Sequence, residues 1–200
     1  MLIDEDTGEY LYEVHWKLLN SMTHGIVPQS RPRVYIVGLL KKEMRSPFQW
    51  PERVACARMV DILGVNTGGA AELLALSDTK LRHIGKLTAE YASMEPKPDI
   101  ILNCGGTSAT TTRGYIGTIT ATRSADLAFY SLKRNRMLTN TELLKLQGFD
   151  VDWFHGWQKW ISTRQFNHAI GNAMTCTLLA RIIEKAFNSL GFDVKPMPGV

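Results

Sequence analysis

Apolar residues occur in short clusters along the chain, and their spacing changes from one stretch to the next. Residues 10–19, Tyr-Leu-Tyr-Glu-Val-His-Trp-Lys-Leu-Leu, mix strand formers with other apolar positions and predict a strand or a short extended approach. Residues 33–40, Arg-Val-Tyr-Ile-Val-Gly-Leu-Leu, form an apolar run rich in β-branched side chains. That run predicts a strand buried on both faces, in a parallel or mixed sheet with helical cover. The stretch between them, residues 24–32, holds one Gly and two Pro and predicts a loop. Pro47 and Pro51 mark a connector. Residues 54–63 and 70–92 carry helix-compatible patterns, Pro96 and Pro98 break the chain, and Ile100-Ile101-Leu102 suits a short strand. From Gly105 to Thr122 the composition turns to Gly and Thr, which predicts a loop-rich, exposed segment. The expected organisation is 1–50, an inserted region at 51–125, and a return at 126–200.

The strongest local signal lies in that last part. In Leu138-Thr139-Asn140-Thr141-Glu142-Leu143, Thr139 suits an N-cap and Glu142 the N3 position of a capping box. Leu138 and Leu143 suit the flanking hydrophobic staple. The helix is expected over 140–147, stopped by Gly148. A final helix places Met174, Leu178, Ile182, Ala186 and Leu190 along one face, flanked by Leu179, Ile183 and Phe187. Arg181, Glu184, Lys185 and Asn188 take the other side, and Gly191 ends the helix. Its start is expected at Gly171-Asn172, with free backbone amides there.

Composition narrows the class. The 200 residues are 44% apolar and 21% charged, which excludes collagenous, mucin-like and wholly disordered chains. A chain this long buries roughly 70% of its unfolded surface. No run of about 18 apolar residues occurs, so no membrane span is expected. The acidic first residues lack the apolar core of a secretory signal. Lys and Arg exceed Asp and Glu by 23 to 19, a net charge of +4 that is compatible with a polyanionic partner without demanding one. Cys56, Cys104 and Cys176 are too scattered for a disulfide framework or metal spacing, and suggest a reducing, intracellular compartment. The five histidines share no spacing, so no metal site is expected.

Several segments carry candidate chemistry. In Gln29-Ser30-Arg31-Pro32-Arg33, one guanidinium can face a cleft while the other braces a neighbouring loop; two solvated arginines before a strand are the plainer alternative. Gly171-Asn172-Ala173-Met174, read as a helix start, offers amides to a carboxylate or phosphate, or is simply an Asn cap. Cys104 beside Gly105-Gly106 lacks any mark of an activated thiolate, and a structural role suits it better. Trp153, Trp157 and Trp160 have helical spacing and predict a packing stripe rather than a base-stacking platform. Thr112, Arg113 and Arg123 lie in a Thr- and Arg-rich stretch suited to phosphates and base edges, or to a polar hairpin.

Three of these segments together resemble the DNA (cytosine-5) methyltransferases. Residues Gly25–Gly38 contain the pattern of the family's Gln-x-Arg-x-Arg motif at Gln29, Arg31 and Arg33. Arg136-Met-Leu-Thr-Asn-Thr-Glu142 through Leu146-Gln147-Gly148-Phe149 resembles its Arg-x-Leu-Thr-x-x-Glu…Leu-Gln-Gly-Phe block. Gly171-Asn172-Ala173-Met174 resembles its closing Gly-Asn-Ala-Val motif, with Met in the last place. The order matches the family, as does a variable insert of about 100 residues between the first two blocks. The similarity covers roughly residues 10–190, corresponding to the C-terminal half of such an enzyme.

The resemblance implies an α/β fold: the C-terminal part of a Rossmann-like core interrupted by a loop-rich target-recognition region. Residues 1–50 would then end the catalytic sheet, 51–125 would be the recognition insert, and 126–200 would return to the core. It also implies methyl transfer from S-adenosylmethionine to C5 of a cytosine flipped from double-stranded DNA. Arg33 would hydrogen-bond the base's O2, with Gln29 and Arg31 holding its loop. Gly171, Asn172 and Met174 would meet the cofactor, and Arg113, Arg123 and Thr112 the DNA. The family's Phe-x-Gly-x-Gly, Pro-Cys-Gln and Glu-Asn-Val motifs do not occur in this sequence. The expected partner is therefore an N-terminal catalytic half, in the same or a separate chain, without which these residues are inactive. A non-enzymatic DNA-binding or regulatory remnant and an RNA cytosine methyltransferase are the alternatives. The compartment would be the nucleus in a eukaryote and the cytoplasm in a bacterium. The apolar stripe from Met174 to Leu190 is expected to lack part of its packing partner, giving poor solubility or a partner chain.

Overall fold

The computed structural model describes residues 2, 3, 5, 7–64 and 76–194. In chain order they form β1 (Tyr12–Asn20), the single turn α1 (Ser21–His24), β2 (Pro32–Leu40), the single turn α2 (Met59–Ile62) and α3 (Asp78–Glu90). There follow β3 (Ile100–Asn103), β4 (Thr110–Arg113), α4 (Ala121–Ala125), β5 (Phe129–Ser131) and β6 (Arg136–Met137). The chain closes with α5 (Asn140–Leu146), α6 (Thr163–Asn172) and α7 (Cys176–Ser189).

Two sheets result, both antiparallel. β1 and β2 pair as a two-stranded ribbon, Tyr12 opposite Leu40 and Leu18 opposite Val34. The second sheet runs β4-β3-β5-β6. The expectation of a doubly buried strand over 33–40 is overturned: Val34 and Ile36 are exposed, and only one face of the ribbon is packed. The doubly buried strand is β3 instead. Successive strand residues point to opposite faces. Ile100 and Leu102 thus join Ile84 and Leu87 of α3, Tyr130 and Met137, while Ile101 faces Phe129, Ile116, Ile119 and the buried side chains of α5 and α6. This sheet spans residues 100–137, so the boundary expected near 125 falls between its strands. The Gly/Thr stretch is also less open than its composition suggests, since Ile116 and Ile119 are completely buried.

The helix signals differ in outcome. The capping box is present: the Glu142 amide donates to Thr139 Oγ1 at 3.2 Å and the Thr139 amide to Glu142 Oε2 at 2.9 Å. Leu138 and Leu143 are buried in the same core, and Gly148 adopts φ +77°, where its neighbours would tolerate no side chain. Of the pattern over 54–63, only one turn is helical; residues 70–75 lie outside the described residues, and α3 accounts for 78–90. The tryptophan stripe does not form. Trp153 and Trp157 sit in short 3-10 turns, with Trp160 closing the second, and both Trp153 and Trp160 are exposed. Trp157 alone packs, stacking on Phe166 at 3.9 Å between ring centroids.

Replacing Thr139 with Ala removes a cap on a helix whose apolar side chains enter the main core. It is expected to lower stability by about 1 kcal/mol, read as a shift in chemical-denaturation midpoint at unchanged slope.

Candidate functional site

The three sequence blocks meet at the C-terminal end of α6. A helix end leaves carbonyls without intrahelical partners. Here two side chains from elsewhere in the chain take them. The Arg31 guanidinium donates to the carbonyls of Ala173 (2.8 Å) and Gly171 (3.4 Å), and to Ile119 in the Gly/Thr stretch (2.5 Å). Gln147 Nε2 donates to the Ile170 carbonyl at 2.8 Å. Gln29, fully buried, ties the two together: its Nε2 donates to the Leu146 carbonyl (2.8 Å) and to Gln147 Oε1 (3.1 Å). Ser21 and Thr175 complete the cluster, hydroxyl to hydroxyl at 2.7 Å. The Cys176 amide, opening α7, donates to the Gln147 carbonyl at 2.8 Å.

The backbone around Gln29 and Arg31 is fixed from both sides. The Ser30 amide donates to Ile116 and the Ile116 amide to Pro28, each at 2.8 Å, which zips this segment onto the Gly/Thr stretch. On the other side the Arg31 amide donates to Asn20 Oδ1 at 3.0 Å. Burial, and then the charge of Arg33, pull the Arg31 pKa below its ordinary value. The guanidinium nonetheless stays charged, since arginine ionises far above neutrality. Gln29 and Arg31 are thus enclosed posts: Gln29 Nε2 and the two terminal nitrogens of Arg31 donate to the protein's own oxygens, while Arg31 Nε is buried without a hydrogen-bond partner. Arg33, two residues on, is exposed and donates only to the Pro32 carbonyl, at 2.7 Å.

The expected helix start at Gly171-Asn172 is overturned. These residues are the last of α6, and α7 begins at Cys176. Carbonyls rather than amides gather there, so the local helix dipole attracts cations, and the amide-based argument for anion binding does not apply. Gly171 has a packing reason of its own. A Cβ at this position would overlap the Thr120 carbonyl and the Ala121 nitrogen, where α6 crosses the start of α4. Asn172 and Met174 have exposed side chains at the same turn.

The structure brings Thr112 and Arg123 to one small cavity of about 50 Å³, bordered by Asn103, Thr110 and Phe129, but not Arg113, which is exposed at the end of β4. The Thr112 hydroxyl donates to the Tyr115 carbonyl at 2.6 Å, so it shapes the turn that follows β4. A wider cavity of about 440 Å³ between α4 and α6, lined by Thr122, Asp126, Arg164, Gln165 and His168, lies beside Arg123 in sequence. Nothing in the local sequence marks Arg164 and His168, whose placement depends on the α4–α6 crossing.

Sequence reasoning also missed Gln147, Ser21, Thr175 and Arg136. Gln147 and Arg136 were visible only inside a motif, and the other two have no local signal. Arg136 forks onto Glu142 at 2.7 and 2.8 Å, with both groups buried. Glu142 additionally accepts from the Gly64 amide at 3.0 Å. Burial alone would raise the Glu142 pKa, but the hydrogen bonds from Arg136, Thr139 and Gly64 and the Arg136 charge outweigh it and hold the carboxyl below its ordinary value.

None of the cysteines is set up as a nucleophile. Burial raises the thiol pKa of Cys104 and of Cys176, and the Cys104 thiol donates to the Ala128 carbonyl at 3.2 Å. Cys56 is exposed. Among the described residues no group of three or more His, Cys, Asp or Glu could hold a metal, and no helix is long and apolar enough to cross a membrane.

Comparisons with known proteins bear on the chain as a whole. A family model for C-5 cytosine-specific DNA methylase matches residues 3–188. A Type II methyltransferase of Neisseria gonorrhoeae, M.NgoBI, is 32% identical over 143 residues, covering 70% of this chain and 41% of M.NgoBI. The solved structure of the Entamoeba histolytica methyltransferase EhMeth superposes with a TM-score of 0.58 at 17% identity, covering 90% of this chain and 55% of that one. The chain thus spans less than half of the curated relative's length.

Gly171→Ala forces a methyl group into backbone and should cost about 2–3 kcal/mol, whereas Asn172→Ala should leave the melting temperature nearly unchanged. Glu142, with a depressed folded pKa, stabilises fully above the ordinary glutamate value and loses that contribution as pH falls through the lower folded value. Unfolding free energies measured down an acid series should show this loss, and Glu142→Gln should flatten that part of the profile while lowering stability near neutral pH.

Proposed function

Since the chain belongs to the C-5 cytosine-specific DNA methylase family, we propose that it forms the C-terminal part of a DNA cytosine-5 methyltransferase. In this reading it supplies the arginine that reads the target base and one wall of the cofactor site. Its α/β arrangement is then the end of a Rossmann-like core, with a target-recognition region inserted after β2.

The observation that carries the proposal is the division between Arg31 and Arg33. Arg31 is locked by three backbone carbonyls, whereas Arg33 is exposed on the strand that Arg31 anchors. Arg33 is the catalytic residue of this reading. Its guanidinium donates to O2 of a cytosine flipped out of duplex DNA and stabilises charge that develops on the ring during attack at C6. Gln29 and Arg31 are positioning residues, acting through the loop they hold.

The turn after α6 fits S-adenosylmethionine by the chemistry of its side chains. Asn172 offers an amide with both donors and an acceptor, and Met174 an exposed apolar surface. When bound, the cofactor supplies the methyl group. Arg113 and Arg123 take the DNA phosphates, with Thr112 holding the turn that follows Arg113. The attacking thiolate belongs to a catalytic half outside this sequence, in keeping with the raised thiol pKa of Cys104 and Cys176.

The test is methyl transfer from labelled S-adenosylmethionine by the chain combined with a polypeptide carrying the Pro-Cys-Gln loop. Transfer to duplex DNA supports the reading. Transfer only to tRNA replaces it with an RNA methyltransferase, and binding of DNA without transfer replaces it with a non-enzymatic remnant. In the active complex, Arg33→Ala should reduce turnover by at least about 10²-fold with unchanged melting, the scale of losing one preorganised donor. Near-normal turnover removes Arg33 from the catalytic role.

A further inference from the structure

A cavity of about 340 Å³ opens between the first turn of α5, the N-terminal half of α6 and the two 3-10 turns, Val151–Phe154 and Trp157–Lys159. Gly156, at φ +75°, turns the chain between them, and both turns pack against the main core through Val151, Phe154 and Trp157. One wall of the cavity is aromatic. Trp157 stacks on Phe166 within 12° of parallel, and Phe154 leans on the same Phe166 ring at 5.8 Å between centroids. Phe166 is itself buried in the core, so this wall is set before any ligand arrives. Asn140, Thr141 and Gln158 also line the cavity, and none of these three side chains has a hydrogen-bond partner among the described residues. Two amides and a hydroxyl are thus free both to donate and to accept. Among the described residues no Lys, Arg, Asp or Glu lines the space. His155, at its rim, is largely exposed, with Nε2 3.3 Å from Asp152 Oδ1.

We infer that this cavity is a binding site for an unpaired nucleobase. Three features of the lining select that class. A lining without Lys, Arg, Asp or Glu calls for a neutral ligand, since a phosphate or carboxylate finds no guanidinium or ammonium there. The aromatic wall favours a flat ring, which gains most from stacked or edge-on contact. The free amides and hydroxyl call for an edge that both gives and accepts hydrogen bonds, as Asn and Gln find on a base. An aliphatic ligand would leave those groups unpaired. The cavity volume falls within the range of small-molecule sites, about 300–1,000 Å³. The site is separate from the place given above to the target cytosine. Arg31 and Gly171 meet at the C-terminal end of α6, whereas Phe166 lies in its first half, and the ten-residue helix is about 15 Å long. The methyl-transfer reading uses neither this cavity nor its side chains, so the inference stands apart from it. Either a free nucleoside or a single nucleic-acid strand can carry the base, and the arms of the test separate them.

The test titrates the purified chain with adenosine, guanosine, cytidine and uridine, with a short single-stranded oligonucleotide, and with the same oligonucleotide fully paired. Binding is followed by calorimetry and by the indole N–H resonance of Trp157 in NMR spectra. Each titration is repeated on the double variant Thr141→Val, Gln158→Leu. Both positions are exposed, so this variant should melt close to wild type. At least one nucleoside or the single strand should move the Trp157 resonance, and the double variant should bind it at least about tenfold more weakly, the scale of leaving a base edge unpaired. A response to nucleosides assigns the site to a free small molecule; a response to the single strand alone assigns it to a nucleic acid with an unpaired base. Either result supports the inference. It is overturned if no probe moves the Trp157 resonance, if only the paired duplex does, or if the double variant binds as wild type does. It is also overturned if toluene, which has a flat ring but no hydrogen-bonding edge, binds as tightly as the best nucleoside.

Discussion

A buried guanidinium at the end of a helix organises this protein. Arg31 has no acidic ion-pair partner among the described residues, and taking a cation out of water costs several kcal/mol. What offsets the cost is geometry. The terminal carbonyls of α6 are unsatisfied by the helix itself and lie at the negative end of its dipole. Charge-assisted hydrogen bonds to Gly171 and Ala173 answer both conditions at once, and a further one to Ile119 brings in the Gly/Thr stretch. Gln147 takes the adjacent Ile170 carbonyl, and Gln29 joins Gln147 to the strand that carries Arg31. The segments around Gln29–Arg31 and around Gln147 therefore cap the end of α6.

This arrangement explains why two arginines of one short motif differ so much. A residue whose side-chain donors are held by buried carbonyls of the protein keeps a position; one that is exposed can meet a substrate. Arg31 and Gln29 are of the first kind and Arg33 of the second. The same logic separates Gly171 from Asn172. Gly171 lets α6 approach α4 closely, while Asn172 and Met174 beside it are exposed.

The ribbon shows a second constraint, one of coverage. A strand pair has two faces, and one helix, α7, can bury only one of them. The remaining apolar face and the carboxylate–guanidinium pair at Glu142 and Arg136 stand at opposite extremes. The pair is buried with its hydrogen bonds made internally, whereas the face is exposed with no partner in the described chain.

The amino-acid sequence by itself determined the features whose partners lie within a turn or two. Thr139 and Glu142 satisfy each other across three residues, Gly148 stops the helix they start, and the apolar spacing of Leu178 and Ile182 places the last helix. The resemblance of three segments to a family was visible as well, because residue types and their order are properties of the string, and the family itself is shown. Tertiary structure alone decided what depends on distant partners. That Gly171-Asn172 ends a helix rather than begins one follows from Ser162 capping α6 and from Arg31, 142 residues from Ala173, receiving its far end. The β-branched run at 33–40 read as doubly buried, yet its composition cannot tell whether a second layer is present to cover it. The tryptophans had helical spacing, but a left-handed Gly156 between them broke the register and left only Trp157 against the core. Spacing along a chain records which side chains can share a face; whether anything lies against that face is settled by contacts across the fold.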